Sequence, residues 1–138
     1  MSKIAGDGAS GIALSALRAQ QARMRIIAEN MANSSSTAAT PGGEPYRRQA
    51  SVFEVARMAD GGTGVRMRGV KPDPSPFSKD YDPGHPAADA AGYVLKPNVN
   101  GLIEALDMKQ AMRAYEANLN VLETQDAMEK STLSLLQK

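Results

Sequence analysis

The segment NGLIEALDMKQAMRAYEANLNVLETQDAMEKSTLSLLQ, residues 100–137, contains no proline and repeats apolar side chains at intervals of three and four residues. That spacing brings the repeated side chains onto one face of an α-helix. Eight of the ten positions on this face are apolar, and the face consists of Ala105, Met108, Met112, Tyr115, Leu119, Leu122, Asp126, Glu129, Leu133 and Leu136. The pattern therefore predicts one long helix at the end of the sequence.

A second stripe of smaller side chains runs beside the first on the same helix. It consists of Ala114, Ala117, Val121, Thr124, Met128, Ser131 and Leu135. A hairpin of two helices buries one face of each helix, so the second stripe would stay exposed, and exposed apolar patches usually mark partners. We interpret the two stripes as an assembly surface. The alternative is an ordinary two-helix hairpin whose core is formed within one chain.

The front of the chain, residues 10–33, follows the same spacing. Its stripe consists of Leu14, Leu17, Gln21, Met24, Ala28 and Met31, and Ile27 widens it. This is a coiled-coil-like seam of fewer than three heptads. The run ANSSST, residues 32–37, predicts the end of the helix, because Asn and Ser compete for backbone hydrogen bonds.

All eight prolines lie between Pro41 and Pro97, so long helices are expected only at the two ends. The predicted fold is mainly α with a small β-rich middle, in which the terminal helices form a coiled-coil-like pair. The predicted parts are an N-terminal helical part at 1–37, a Pro/Gly-rich β or extended segment at 38–98, and a C-terminal helix at 99–138.

Three short strands are predicted in the middle segment, at 46–55, 64–70 and 92–97, with a hairpin turn at 60–64. Pro97 ends the third strand, and Asn98 or Asn100 is expected to cap the last helix. Five of the six aromatic residues are predicted to share one small core: Tyr46, Phe53, Phe77, Tyr81 and Tyr93.

The only histidine, His85, has Asp82 and Asp89 nearby, and such a set can bind a metal. We interpret it instead as a turn, because His85 lies between Gly84 and Pro86. The chain has no cysteine, which excludes disulfides and thiolate catalysis. It also lacks a G-x-S-x-G nucleophile motif and a phosphate-binding loop. These observations predict a protein that is not an enzyme and has no metal, cofactor or small-molecule substrate.

Basic residues are too few to indicate nucleic-acid binding. The formal net charge is +1, and a nucleic-acid binder needs a marked basic excess or a basic stripe. The densest groups are Arg47 with Arg48, and Arg66 with Arg68 and Lys71. We interpret both groups as solvated faces of strands.

Four stretches of the sequence resemble a known family. ALRAQQARMRIIAENMANSSST (16–37), with an A-x-N-x-A-N run at 28–33, resembles the N-terminal helix of the bacterial flagellar axial proteins, which include rod, hook and hook-associated subunits. TPGGEPYRRQ (40–49), DPSPFSKDYDPGHPAADAAGYVLKPNVN (73–100) and MRAYEANLNVL (112–122) resemble the proximal-rod members of that family. The resemblance covers nearly the whole chain.

The resemblance implies a structural subunit of the flagellar basal-body rod in the periplasmic space. Such subunits are exported by the flagellar type III apparatus, assemble helically and transmit motor torque to the hook. The implied partners are other rod proteins, copies of the chain itself, the hook–basal-body junction protein, the export apparatus and the rod-capping muramidase. A rival hypothesis from another class is a small cytoplasmic coiled-coil adaptor.

The apolar stripes predict where the subunits meet. The predicted assembly residues are Leu14, Leu17, Met24, Ile27, Met31, Met108, Met112, Tyr115, Leu119, Val121, Leu122, Met128, Leu133 and Leu136.

Overall fold

A computed structural model describes the backbone of residues 3–137 and the side chains of residues 8–137. The elements, in chain order, are α1 (Lys3–Ala32), β1 (Gln49–Arg57), β2 (Thr63–Pro72), β3 (Ser78–Tyr81), β4 (Tyr93–Lys96) and α2 (Gly101–Leu136). The prediction of two long terminal helices around a small β middle is confirmed. Within the described residues, neither helix has the length and apolar character needed to cross a membrane.

Helix α1 is longer than its apolar stripe predicted, because it begins at Lys3 and continues through Gly6 and Gly8. Glycine lowers helix propensity by roughly 1 kcal/mol relative to alanine but does not forbid a helix, whereas proline does. The helix ends where the sequence predicted. Asn33 Nδ2 donates a hydrogen bond to the Glu29 carbonyl over 2.8 Å, and the Ser34 hydroxyl donates to the Met31 carbonyl over 2.8 Å.

The four strands form two separate two-stranded sheets, β1–β2 and β3–β4. In the β1–β2 hairpin, the Met58 N–H donates to the Gly62 carbonyl over 2.8 Å, which closes the predicted turn. In the second sheet β3 and β4 are antiparallel, and Ser78 lies opposite Lys96. The sequence did not predict β3, because all four of its side chains are exposed and it lacks the apolar alternation that indicates a strand.

The residues group into two compact units with different interiors. One unit contains the chain up to Met24, Val52–Gly69 and the chain from Lys109; its buried side chains are Ala13, Leu17, Ala19 and Ala111. The other unit contains Arg25–Ser51 and Val70–Met108; its buried side chains include Ile26, Ile27, Asn30, Ala87, Val94 and Glu104. In the second unit the core is therefore partly polar.

The prediction of one shared aromatic core is wrong. Tyr81 and Tyr93 form an edge-to-face pair with ring centroids 5.3 Å apart, but both side chains are exposed. Phe77 lies under the Arg47 guanidinium, 4.2 Å from its ring centroid, and Tyr46 donates a hydrogen bond to Asn30. Phe53 is exposed. Tyr46 and Phe77 have a polar and a cationic partner, and Tyr81 and Tyr93 pair with each other at the surface, so the five rings do not share a core.

Candidate assembly surface and polar junction

Polar side chains from distant parts of the sequence meet in the unit formed by Arg25–Ser51 and Val70–Met108. We call this network the polar junction. It consists of Asn30, Tyr46, Arg47, Arg48, Gln49, Asp73, Asn98, Glu104 and Asp107. It joins the end of α1 and the start of α2 to the chain around the β strands.

Asn30 is fully buried, and its amide is satisfied on both sides. Its Oδ1 accepts from the Gln49 N–H over 2.9 Å and from the Tyr46 hydroxyl over 2.7 Å. Its Nδ2 donates to the Gln49 carbonyl over 2.8 Å and to Glu104 Oε2 over 3.4 Å. The side chain therefore binds both backbone groups of the first β1 residue. A carboxylate at position 30 has no donor for the Gln49 carbonyl.

Arg48 binds three carboxylates. Its Nε donates to Glu104 Oε1, its Nη1 to Asp73 Oδ2 over 3.3 Å, and its Nη2 to Asp107 Oδ2 over 3.2 Å. The Glu104 side chain is completely buried, and a buried carboxylate is costly unless it is paired and hydrogen-bonded. Arg48 and Asn30 supply those partners, so Arg48 is not the solvated strand residue that the sequence predicted.

The backbone around Asp73 and Ser75 is bound by two more side chains of the junction. Arg47 Nη1 donates to the Asp73 carbonyl over 2.8 Å and to the Ser75 carbonyl over 3.1 Å. Asn98 Nδ2 donates to the same carbonyls over 3.1 and 3.0 Å, while its Oδ1 accepts from the Arg48 N–H over 2.7 Å. The extended, proline-rich stretch that begins at Asp73 is therefore fixed in place.

The two asparagines that were considered as helix caps have different roles. Asn100 caps α2, because its Oδ1 accepts from the Leu102 and Ile103 N–H groups over 3.0 and 3.3 Å. Asn98 belongs to the polar junction. The cap sets the start of α2 and thereby places Glu104, in its first turn, against Arg48.

Electrostatics in the junction follow from these contacts. Burial alone would lower the pKa of Arg48, but hydrogen bonds and charges from Glu104 and then Asp73 raise it above the ordinary arginine value. The hydroxyl and N–H of Ser75 hold the pKa of Asp73 below its usual range, with a smaller contribution from Arg48. Burial, with Glu29 and Glu104, raises the pKa of Tyr46. These shifts favour the charged forms of Arg48 and Asp73 and the neutral form of Tyr46.

His85, the Asp82 backbone carbonyl and the Asp89 carboxylate form hydrogen bonds within their own turns. His85 Nδ1 accepts from the Ala87 N–H over 3.0 Å, and the His85 N–H donates to the Asp82 carbonyl over 3.1 Å. Asp89 Oδ1 accepts from the Ala91 and Tyr93 N–H groups, each over 2.9 Å. Among the residues whose side chains are described, no group of three His, Cys, Asp or Glu residues is arranged to hold a metal ion.

The predicted assembly residues differ widely in exposure. Leu17 and Ile27 are buried. Met24, Met108, Tyr115 and Leu122 are half-buried. The remaining eight are exposed: Leu14, Met31, Met112, Leu119, Val121, Met128, Leu133 and Leu136. In the distal part of α2 the exposed apolar side chains range from 37% at Leu119 to 77% at Leu136, so both stripes present apolar surface there.

The comparisons with known proteins cover nearly all of the sequence. Residues 90–135 match the family described as flagellar basal body rod FlgEFG protein C-terminal. The chain is 45% identical over 132 residues to the flagellar basal-body rod protein FlgC of Agrobacterium fabrum, with 94% of each chain covered. This chain belongs to the FlgC family. The FlgC protein of Yersinia enterocolitica is 43% identical, and the match covers 90% of this chain and 92% of that protein. The FlgC protein of Borreliella burgdorferi is 40% identical, and the match covers 91% of this chain and 94% of that protein.

The FlgC-like motifs of the sequence meet in the polar junction. Asn30 comes from the A-x-N-x-A-N run, Arg48 from YRRQ, Asp73 from DPSPF and Asn98 from KPNVN. Sequence reasoning found these motifs but not their convergence. The two signals available in the sequence were Asn30, next to the apolar stripe of the front helix, and Glu104, in the first turn of the last helix.

Proposed function

We propose that the chain is a structural subunit of the flagellar basal-body rod. It is exported by the flagellar type III system, assembles helically with other rod proteins and copies of itself, and transmits motor torque across the periplasm. The observation that carries this proposal is the 45% identity to a basal-body rod protein over 94% of both chains. The relatives are rod proteins and not enzymes, which agrees with the prediction that this chain is not an enzyme.

The exposed apolar surface of α2 supports an assembling role. Leu119, Val121, Met128 and Leu133 are 37–60% exposed. Exposed apolar area of this kind is favourable to bury against a partner, at roughly 25 cal/mol per Å². In the assembled rod, the terminal parts at 1–37 and 99–138 form a coiled-coil-like pair, and the 14 predicted assembly residues lie between subunits.

The partners follow from the same proposal. Besides the other rod proteins, the chain contacts the hook–basal-body junction protein and the rod-capping muramidase, and it passes through the flagellar type III export apparatus. Its place is the rod in the periplasmic space.

Cell fractionation separates this proposal from the cytoplasmic adaptor hypothesis. A strain that lacks the chain is complemented with an epitope-tagged copy, and basal bodies are purified with the rod attached. We expect the tagged chain in the basal bodies, and no swimming in the strain without it. Recovery of the chain only in the cytosol of a swimming strain would favour the adaptor.

A further inference from the structure

The unit that contains the chain up to Met24, Val52–Gly69 and the chain from Lys109 has an apolar groove of about 350 Å³. The groove lies between α1 and the β1–β2 hairpin. Its floor consists of Ala19, Ala22, Ala56, Met58, Val65 and Met67. Arg18 and Arg66 border it, and both side chains are exposed.

A close contact holds the two walls of the groove together. Ser15 Oγ on α1 accepts from the Val65 N–H on β2 over 3.2 Å and donates to the Ile12 carbonyl over 2.7 Å. A Cβ atom at Gly64 would lie 2.5 Å from Ser15 Oγ, so any larger residue there would displace the hydroxyl that binds Val65. The groove is therefore a fixed feature of the unit.

The elements around the groove are basic. Residues 15–23 and 54–68 contain five arginines and two acidic residues. Glu54 forms an ion pair with Arg66 through the Arg66 Nε at 2.5 Å, and the other four arginines still outnumber the one remaining acidic residue, Asp60. A partner that brings apolar side chains together with carboxylates would match both the floor and the border of the groove.

The distal part of α2 has the matching composition. Residues 116–136 contain four acidic residues and one basic residue. One helical face carries both the apolar and the acidic side chains: Leu119, Leu122, Asp126, Glu129, Leu133 and Leu136. Asp126 contacts Lys130 over 2.8 Å on the exposed surface of the helix, and such exposed pairs are weak enough to be exchanged for another partner.

We propose that the groove of one copy of the chain binds the acidic, apolar face of α2 from a second copy. This inference rests on the proposed function, because it requires copies of the chain next to each other in the rod. The two surfaces are different patches of one molecule, so each bound pair still has a free groove at one end and a free α2 face at the other. Such a heterologous contact adds subunits in a row and suits a helical structure.

Photo-crosslinking identifies what occupies the groove. Ala56 on the floor is replaced by the photoreactive amino acid p-benzoylphenylalanine, in cells that assemble basal bodies, and the purified basal bodies are irradiated. We expect a product of twice the 14.6 kDa mass of the chain, linked through peptides of α2. A product that contains a different protein, or no product from chains present in basal bodies, would overturn the proposal.

Disulfide trapping tests the register of the contact. Because the sequence has no native cysteine, only the introduced cysteines of this chain can form the disulfide. One strain expresses an Ala56→Cys copy together with a Leu133→Cys copy, and the matched control replaces Leu133→Cys with Ser131→Cys. Ser131 is also exposed, but it belongs to the second stripe and lies two residues, about 200° around the helix, from Leu133. Because a disulfide needs Cα atoms within about 7 Å, we expect a linked dimer for the first pair only.

Two outcomes separate the failure of this inference from the failure of the proposed function. If both variants are present in basal bodies and neither pair is linked, or both are linked equally, the docking proposal is wrong while the rod function stands. If the wild-type chain itself is missing from basal bodies, the proposed function fails first. Should Ala56→Cys prevent incorporation, Ala22→Cys on the α1 side of the floor replaces it with the same expected result.

Discussion

The polar junction and the distal part of α2 differ in whether their side chains find contacts within the same chain. In the junction, Asn30 and Glu104 are fully buried and every contact they need comes from the same chain. In distal α2, Leu133 and Leu136 are 59% and 77% exposed. Buried polar groups are stable only when each has a hydrogen-bond partner, so the side chains of the junction restrict one another to a single arrangement. The distal helix leaves its apolar surface exposed.

The comparison predicts that substitutions in the two regions will affect different measurements. A change in the junction should open the monomer locally, because partners inside the chain are lost. A change in distal α2 should leave the monomer intact and act on assembly. Hydrogen exchange of backbone amides in the monomer and swimming of the cells are therefore informative readouts when they are taken together.

The largest effect is expected for an aspartate on either stripe of α2. Leu119→Asp and Val121→Asp should each abolish swimming, because an unpaired carboxylate in a water-poor interface costs several kcal/mol and recurs at every subunit. In the monomer Val121 is 48% exposed, so Val121→Asp should cost no more than about 0.5 kcal/mol there, whereas Leu119 is 37% exposed and its substitution should cost more. Swimming cells with Val121→Asp would show the second stripe to be free surface.

The next largest effect is expected at Arg48. Arg48→Met removes the charge partner of a fully buried Glu104 and should raise the free energy of the folded junction by about 3–5 kcal/mol. The measurement is the loss of exchange protection at the Gln49 and Asp73 amides, which are bonded within the junction. Arg68→Met, at an exposed strand position, is the matched control and should change protection by less than about 0.5 kcal/mol. Equal effects of the two substitutions would contradict the structural role of Arg48.

Sequence periodicity predicted the helices, because an apolar stripe repeats locally and each residue can be assigned from its near neighbours. The polar junction could not be predicted in this way. Asn30, Arg48, Asp73 and Glu104 are separated by 18 to 31 positions in the sequence, and their pairing leaves no period. Arg48 looked like a solvated strand residue because the sequence does not show which carboxylates face it. The exposed strand β3 was missed for the opposite reason, since burial imposes no pattern on it.

Gly92 provides a test of how rigid the second unit is. Its φ angle is +87°, and a Cβ there would lie 2.9 Å from Tyr81 Cε2 and 3.1 Å from Pro83 Cβ. Gly92→Ala should therefore cost about 1–2 kcal/mol for the left-handed backbone, and more for the contacts with Tyr81 and Pro83. The Asp82 amide, which donates to the Gly92 carbonyl over 2.9 Å, reports the change through its exchange rate.

Gly61 is the matched control for Gly92. It has the same φ angle of +87°, but a Cβ there would meet nothing within 4 Å. Gly61→Ala should carry only the backbone cost, measured at the Met58 amide that closes the hairpin turn. If the two substitutions lower the stability by the same amount, Tyr81 and Pro83 can move away from a Cβ at position 92. The second unit is then less rigid than its hydrogen bonds indicate.

The smallest effect is expected from protonation of Asp73. The folded state lowers its pKa, mainly through the hydroxyl and N–H of Ser75 and to a lesser degree through Arg48. Its stabilising contribution is therefore fully present above the unfolded value of about 3.9 and is lost as the pH falls through the lower, folded value. The pKa of Arg48 is raised, so that residue stays charged throughout this range and contributes no slope. Because Asp73 is partly exposed, the loss should be below about 1 kcal/mol.

Asp73→Asn removes this titration, so the difference in Ser75 amide protection between the wild type and the variant should shrink between pH 5 and pH 3, after correction for intrinsic exchange. If the difference in protection stays constant over that range, the charge of Asp73 does not stabilise the junction.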